Sequence, residues 1–296
     1  SNNLFDVVLA PQTTYQTIRK AFTEAHLSDG LRTKLIRLLN QLKGPLAVRS
    51  SSLSEDNINQ PFAGVFDTYV VPNNDSDIQK RLEHLEQTIK LVFASIYSDE
   101  SKHYFDAIHR KVEDEKMAIV LQELVCSQYD HYYYPHIAGT AQSYNYYPVA
   151  HMRPEEGFAM AAVGLGYYVV GGQKSFRFSP KYPTVEVYST QDMVRMTQTE
   201  FVVVDLDKTD LDYLGQGESA PLATLPISEG EKHGSIKHLA SVYNPQNDQI
   251  EAGLSAYGPR VINFANILKY DYVPLARLLD EILQIAQGAL GSPVEL

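Results

Sequence analysis

What this chain of 296 residues lacks narrows its possibilities first. It has one cysteine, Cys126, so no disulfide can close within the chain and no cysteine-built metal site can form. A lone thiol fits a reducing compartment, the cytoplasm. Cys126 reads as a small residue filling a strand end, not as a nucleophile. Tryptophan is absent, and positive charge is in deficit: 25 lysines and arginines stand against 36 aspartates and glutamates, a net charge of −11. That balance argues against non-specific binding to nucleic acid or an anionic membrane, while leaving room for a local basic pocket. No apolar run approaches the roughly 20 residues that a membrane-spanning helix needs, so a soluble protein is expected. The nine histidines include no His-x-x-x-His pair, so no metal site is assigned. An initiator methionine and a signal-peptide pattern are also missing. Ser1-Asn2-Asn3 reads as a cloning remnant and Pro293-Val294-Glu295-Leu296 as the start of a strand, so the chain is expected to be a piece of a longer protein.

What is present is ordinary globular composition, 44% hydrophobic and 21% charged, with length for one or two domains. Ser1 to Leu9 reads as extended. Helices are expected over Thr13–His26, from Ser28 or Asp29 to Leu42, over Asp75–Tyr97 and over Asp99–Val112. Lys116–Val125 is nearly unbroken apolar sequence and reads as a strand central in a sheet. Ser127–Pro135 reads as a tyrosine-rich loop, His136–Tyr147 as a strand, and Gly157–Val170 as a strand with a glycine turn. Arg177–Pro180 starts an irregular segment, Phe201–Leu206 is a short strand and Gly215–Pro226 a loop. Ile236–Tyr243 fits helix or strand. Asp271–Leu290 has the periodicity of an amphipathic helix. Mixed elements without strict alternation give the class α+β. His131, His136 and His151 among the tyrosines suit a metal or sugar surface or, more plainly, packing and loop chemistry.

One stretch, Leu46 to Tyr69, carries chemistry. Leu46-Ala47-Val48 reads as a buried strand, followed by Arg49 and three serines, then Glu55-Asp56, a proline-containing loop, Gly64, and a second strand Val65–Val71. An arginine fork at a strand end, hydroxyls beside it and a nearby glycine suit a phosphate. A salt bridge from Arg49 to Glu55 or Asp56 explains the same residues without any ligand. Glu55 and Asp56 suit loop capping better than metal ligation.

The wider context adds to this. In order over residues 43–177 stand Val48-Arg49-Ser50-Ser51, Glu55-Asp56, Pro61-Phe62-Ala63-Gly64 and Thr68-Tyr69. Phe93-Ala94-Ser95-Ile96 follows, then Met117-Ala118-Ile119 with Gln122-Glu123-Leu124-Val125. Ala138-Gly139-Thr140-Ala141 comes next, and last Gly164-Leu165-Gly166 with Val169-Val170 and Gly172. This series resembles the nucleotide-binding domain of phosphoenolpyruvate synthase and pyruvate phosphate dikinase, an ATP-grasp family. The resemblance implies an α+β fold of two lobes with mixed sheets and flanking helices holding ATP between them. Residues 1–43 would be a helical lead-in, and 44–296 the nucleotide-binding domain, truncated at its C-terminal end.

The resemblance further implies that Arg49 is the catalytic phosphate contact, with Ser50 beside it and Gly64 and Thr68 on the strand–turn covering the phosphates. Gln122, Glu123, Leu124 and Val125 would be the hinge whose backbone reads adenine. ATP and Mg²⁺ are the implied cofactors. The implied partners are the phosphohistidine and phosphoenolpyruvate/pyruvate-binding domains of the same full-length chain, with phosphate passing to a histidine. The departures are specific. The lysine-bearing K-G-x-N-L start is not found, Tyr167 stands where the family has glutamate, and Glu295 falls at the first acid of a segment whose metal-binding glutamate would lie beyond Leu296. These departures support an alternative, a non-catalytic nucleotide-sensing module. Relatives of the domain also allow a different phosphate acceptor, such as a glucan or a small molecule.

Overall fold

The computed structural model describes residues 3–10, 12–52, 64–149, 151–170 and 174–296. In chain order its helices and strands are α1 (Leu4–Val8), α2 (Tyr15–Glu24), α3 (Asp29–Gln41), β1 (Leu46–Ser52), β2 (Tyr69–Val71), α4 (Ile78–Ser95), α5 (Asp99–Ala107) and β3 (Met117–Glu123). Then come β4 (Ser127–Tyr129), β5 (Tyr132–Tyr134), β6 (Ala138–Gln142), β7 (Phe158–Ala162), α6 (Tyr167–Val170), β8 (Phe176–Phe178), α7 (Thr190–Met196), β9 (Glu200–Asp205), α8 (Tyr213–Gln216) and β10 (Leu222–Pro226). The last are α9 (Ile227–Lys232), β11 (Ala240–Asn244), β12 (Gln249–Ala252), β13 (Arg260–Ile262), α10 (Ala265–Leu268) and α11 (Leu275–Leu290). The fold is mixed α+β. The chain divides into two compact units, residues 1–125 with 204–223, and residues 126–203 with 224–296.

The first unit is built on the antiparallel sheet β2-β1-β3. Side chains alternate across a strand, so one sheet face presents Leu46, Val48, Tyr69, Val71, Ile119 and Leu121 to the core. Helix α4 lays Leu82, Leu85, Ile89 and Val92 against that face, their spacing placing them on one side of the helix. Asp77 caps α4 by accepting the N–H of Gln79, and Thr14 and Ser28 cap α2 and α3 in the same way. The C-terminus of α3 is held by Arg81, buried in α4. Its guanidinium donates to the carbonyls of Leu39 and Leu42 and to Asn73 Oδ1, and the Asn73 amide donates to the carbonyls of Leu42 and Gly44. A buried cation is thereby matched with helix-end carbonyls in place of a carboxylate.

Three expectations for this unit need correction. Leu4–Val8 is helical, not extended, and it packs on α2 with Asp6 in its first turn. The second strand spans Tyr69–Val71 alone. The strand β3 is not central: among the described residues it pairs with β1 alone and stands at the edge of the sheet, and its apolar residues alternate between two surroundings. Met117, Ile119 and Leu121 join the core, while Ala118 and Val120 are exposed. An unbroken apolar run thus describes two different faces.

The second unit carries the sheets β10-β9-β5-β4, β6-β7-β8 and β12-β11-β13, with β9 and β10 running across the division at Val203 and Thr224. The tyrosine-rich loop is instead the hairpin β4–β5, with Tyr129 opposite Tyr132 and Asp130 in the left-handed region at φ 52°. Tyr134 is fully buried, and its hydroxyl meets His233 Nδ1 at 2.8 Å and Ser235 Oγ at 3.0 Å. That burial pushes its pKa up to about 12. Packing therefore accounts for Tyr134, whereas Tyr146 and Tyr147 stay exposed. The segment Gly215–Pro226, expected as a loop, contains the end of α8 and all of β10, and Arg177 sits within β8. The ambiguous Ile236–Tyr243 segment resolves as strand from Ala240. Gly164 ends the β7 segment at φ 80°, where a Cβ would stand 2.7 Å from the Val202 carbonyl oxygen. Glycine is required there by both backbone conformation and space.

Candidate nucleotide-binding face

Because α4 covers one face of the β2-β1-β3 sheet, the other face holds whatever else β1 and β3 present. The antiparallel register sets Arg49 opposite Val120, Ser51 opposite Ala118 and Ala47 opposite Gln122. Directly opposed residues share a face. Arg49, Ser51, Ala118, Val120 and Gln122 are all exposed there. The result is a cation and a hydroxyl flanking a short apolar surface. Among the described residues no hydrogen bond or ion pair engages the Arg49 guanidinium. Its proposed salt-bridge partners Glu55 and Asp56, with Pro61, Phe62 and Ala63, lie outside the described residues, as does Gly172.

Ser50 is on the opposite face of β1 from Arg49, turned with Leu46 and Val48 toward the core side; Ser51 is the hydroxyl beside Arg49. The Val-Arg-Ser-Ser order shows this in advance, since period-two alternation pairs positions 49 and 51.

At the end of β3 the backbone matters most. Leu124 N–H donates to the Pro45 carbonyl at 2.9 Å, so its backbone groups point toward β1. Backbone groups alternate in direction along a strand. Those of Glu123, the last residue of β3, therefore point away from β1, to the side on which no further strand pairs with β3 among the described residues. The Glu123 carboxylate turns back and accepts the Gly44 N–H at 3.0 Å, fastening the turn before β1. Gln122 is exposed on the Arg49 face, and the Val125 side chain is 92% exposed.

Gly64 stands at φ 80° with open space around its absent Cβ, so backbone conformation alone selects glycine. Thr68 is held tightly: its N–H donates to Glu218 Oε1 at 2.7 Å. This acidic partner was not foreseen from sequence, because it comes from 150 residues further along the chain. Around it Asp67 accepts from the hydroxyls of Tyr69 (2.9 Å) and Tyr15 (3.3 Å), and the Asp67 N–H donates to Ser95 Oγ. Arg19 donates to the Tyr213 carbonyl at 2.9 Å. Burial is the first cause holding both the Glu218 and Asp67 carboxyls above their ordinary pKa values; for Glu218 the nearby Asp67 charge adds to it. The described residues contain no group of three or more histidine, cysteine, aspartate or glutamate side chains that could hold a metal ion.

The chain matches the family described as pyruvate phosphate dikinase, AMP/ATP-binding domain, over residues 5–212. It belongs to that family. Among curated relatives it is 30% identical over 164 residues to a protein of Bacillus subtilis (strain 168) named uncharacterized phosphotransferase YvkC, covering 54% of this chain and 18% of the relative. It is 26% identical over 166 residues to the phosphoenolpyruvate synthase of Aeropyrum pernix, covering 53% of this chain and 18% of that protein. The chain thus spans less than a fifth of the length of the curated relatives it matches. No helix among the described residues is long and apolar enough to cross a membrane.

Proposed function

We propose that this chain is the ATP-binding part of a cytoplasmic phosphotransferase of the phosphoenolpyruvate synthase and pyruvate phosphate dikinase kind, with an ATP-grasp mode of nucleotide binding. The observation that carries the reading is the open face of β1 and β3, where Arg49 stands beside Ala118 and Val120 on a sheet whose outer strand ends at Glu123 with its backbone groups pointing away from β1. The edge supplies the donor and acceptor that an adenine rim requires, the apolar residues support its ring, and Arg49 meets the phosphates. Phosphoryl transfer rests mainly on positioning and charge stabilisation, which is the work a fixed guanidinium performs. In the complete protein the phosphate passes to a histidine on another domain and from there toward a phosphoenolpyruvate/pyruvate-binding domain. Mg²⁺ enters as the counter-ion of ATP, and no step is assigned to it, since the described residues offer no carboxylate cluster for it. Residues 44–296 form the nucleotide-binding domain in this reading, with 1–43 leading into it.

A second reading, nucleotide sensing without transfer, draws on Tyr167, which begins α6 partly exposed where the family has a carboxylate. Calorimetry separates binding from its absence. Arg49→Ala is expected to weaken ATP·Mg²⁺ binding about tenfold or more, the loss of a charge-assisted bidentate contact. Unchanged affinity removes Arg49 from the site.

A further inference from the structure

The second unit contains a cavity of about 260 Å³ that the proposed ATP site does not use. Phe176, Phe178, Tyr188, Ile250 and Leu268 form apolar walls, and Phe176 packs with Tyr188 at a ring-centroid distance of 6.0 Å. Asn263 lines the same cavity and is nine-tenths buried. Its Oδ1 accepts from the Ala265 N–H at 3.2 Å and from Ser241 Oγ at 2.9 Å. A backbone N–H can only donate, so it fixes the oxygen of the amide on that side. The two amide hydrogens on Nδ2 are left without a protein partner among the described residues. That donor is not sealed from solvent, so a ligand acceptor can reach it.

The cations at the cavity are already engaged. Lys269 pairs with Glu186 at 2.5 Å. Arg177 donates to Asn145 Oδ1 at 2.6 Å, and its guanidinium lies 4.2 Å from the Phe158 ring centroid. No free cation therefore awaits a polyphosphate. The volume is below the roughly 300–1,000 Å³ of sites for drug-sized ligands, which limits the occupant to one or two rings.

We propose that this cavity is a separate binding site for a small uncharged planar heteroaromatic molecule of the nucleobase class, packed against the aromatic walls and accepting a hydrogen bond from Asn263. Such a site reads a ring without its phosphates and would let base or nucleoside levels act on the domain.

The test is calorimetry of the 296-residue chain with adenine, guanine, cytosine and uracil as probes, each alone and with ATP present. At least one base is expected to bind with a dissociation constant tighter than about 1 mM, and to do so equally in Arg49→Ala. Asn263→Leu is expected to weaken it about tenfold, the loss of a buried hydrogen bond. Since Asn263→Leu also removes the acceptor for Ala265, Ile250→Trp serves as the second variant. It fills the cavity from its wall and is expected to abolish base binding with the thermal transition retained. ATP binding is expected to survive both changes. The proposal is overturned if no base binds, if base binding persists in Ile250→Trp, or if ATP displaces the base and Arg49→Ala loses both. The last outcome would place the base at the ATP site. Loss of ATP binding in Arg49→Ala with base binding intact supports both sites, whereas ATP binding indifferent to Arg49 overturns only the first.

Discussion

Glu218 is where the arrangement of single groups departs furthest from expectation. The turn from Gly64 to Thr68 was expected to lend its groups to phosphates, yet the Thr68 N–H is already satisfied by the Glu218 carboxylate. The carboxyl is held above its ordinary pKa of 4.5 by burial and by the charge of Asp67, against the lowering effect of the Thr68 hydrogen bond. In the window between 4.5 and the raised value, the folded state binds more protons at this site than the unfolded state. Stability therefore falls with rising pH through that window, and the contribution is fully present only below 4.5. Glu218→Gln keeps an oxygen for Thr68 and removes the titration. The variant is expected to gain in melting temperature over the native chain as pH rises from about 4.5 to neutrality, with no gain at the acid end. A gain independent of pH, or one confined to acid, contradicts this account of Glu218. Cys126 follows the same physics, since burial pushes its thiol up to about 12. A disulfide reagent at pH 8 is expected to label it roughly a hundredfold or more slower in the native chain than after unfolding, because the thiolate is the reacting form.

For the elements, sequence legibility tracked periodicity. Helix α4 was readable because Leu82, Leu85, Ile89 and Val92 repeat at three and four residues, and α2 and α3 because Thr14 and Ser28 cap them. Strand β3 was readable as a strand but not as an edge: an apolar residue such as Val120 reports its chemistry, not which face it occupies. The β4–β5 hairpin was hidden by tyrosines, whose hydroxyls resemble loop polarity while their rings fill a core, as Tyr134 does. At the candidate site, the strand that carries Arg49 was legible from Leu46-Ala47-Val48. Ser51 replaces Ser50 at its side through strand alternation, and Glu218 was invisible because only tertiary folding brings it to Thr68. Packing of α4 gives a direct check. Leu85 is fully buried against the sheet, so Leu85→Ala is expected to cost about 2–5 kcal/mol, the sum of lost transfer energy and the cavity left behind. In α11 the exposed Ile285 offers the contrast, and Ile285→Ala is expected to change stability by less than about 0.5 kcal/mol. Denaturant unfolding read by circular dichroism measures both, and equal costs would mean that the buried face of α4 is misassigned.

On the scale of the molecule, a net charge of −11 opposes the approach of an anion such as ATP. In the proposed reading binding therefore rests on a local arrangement, Arg49 with the end of β3. Because the chain spans 18% of each curated relative, binding and transfer can be tested apart. A ligand that binds only the folded form stabilises it by RT ln(1 + [L]/Kd), about 2.7 kcal/mol at a hundredfold excess over Kd. Saturating ATP·Mg²⁺ is accordingly expected to raise the melting temperature of the 296-residue chain by several degrees, and to raise that of Arg49→Ala much less at the same concentration. With γ-labelled ATP, this chain alone is expected to retain no covalent label. A protein of the relatives' full length should carry an acid-labile, base-stable phosphate, the signature of phosphohistidine. If the 296 residues label themselves, the acceptor lies within this chain and the division of labour proposed here is wrong. Should the longer protein bind ATP with the same Arg49 dependence and never become labelled, nucleotide sensing replaces transfer as the function of the domain.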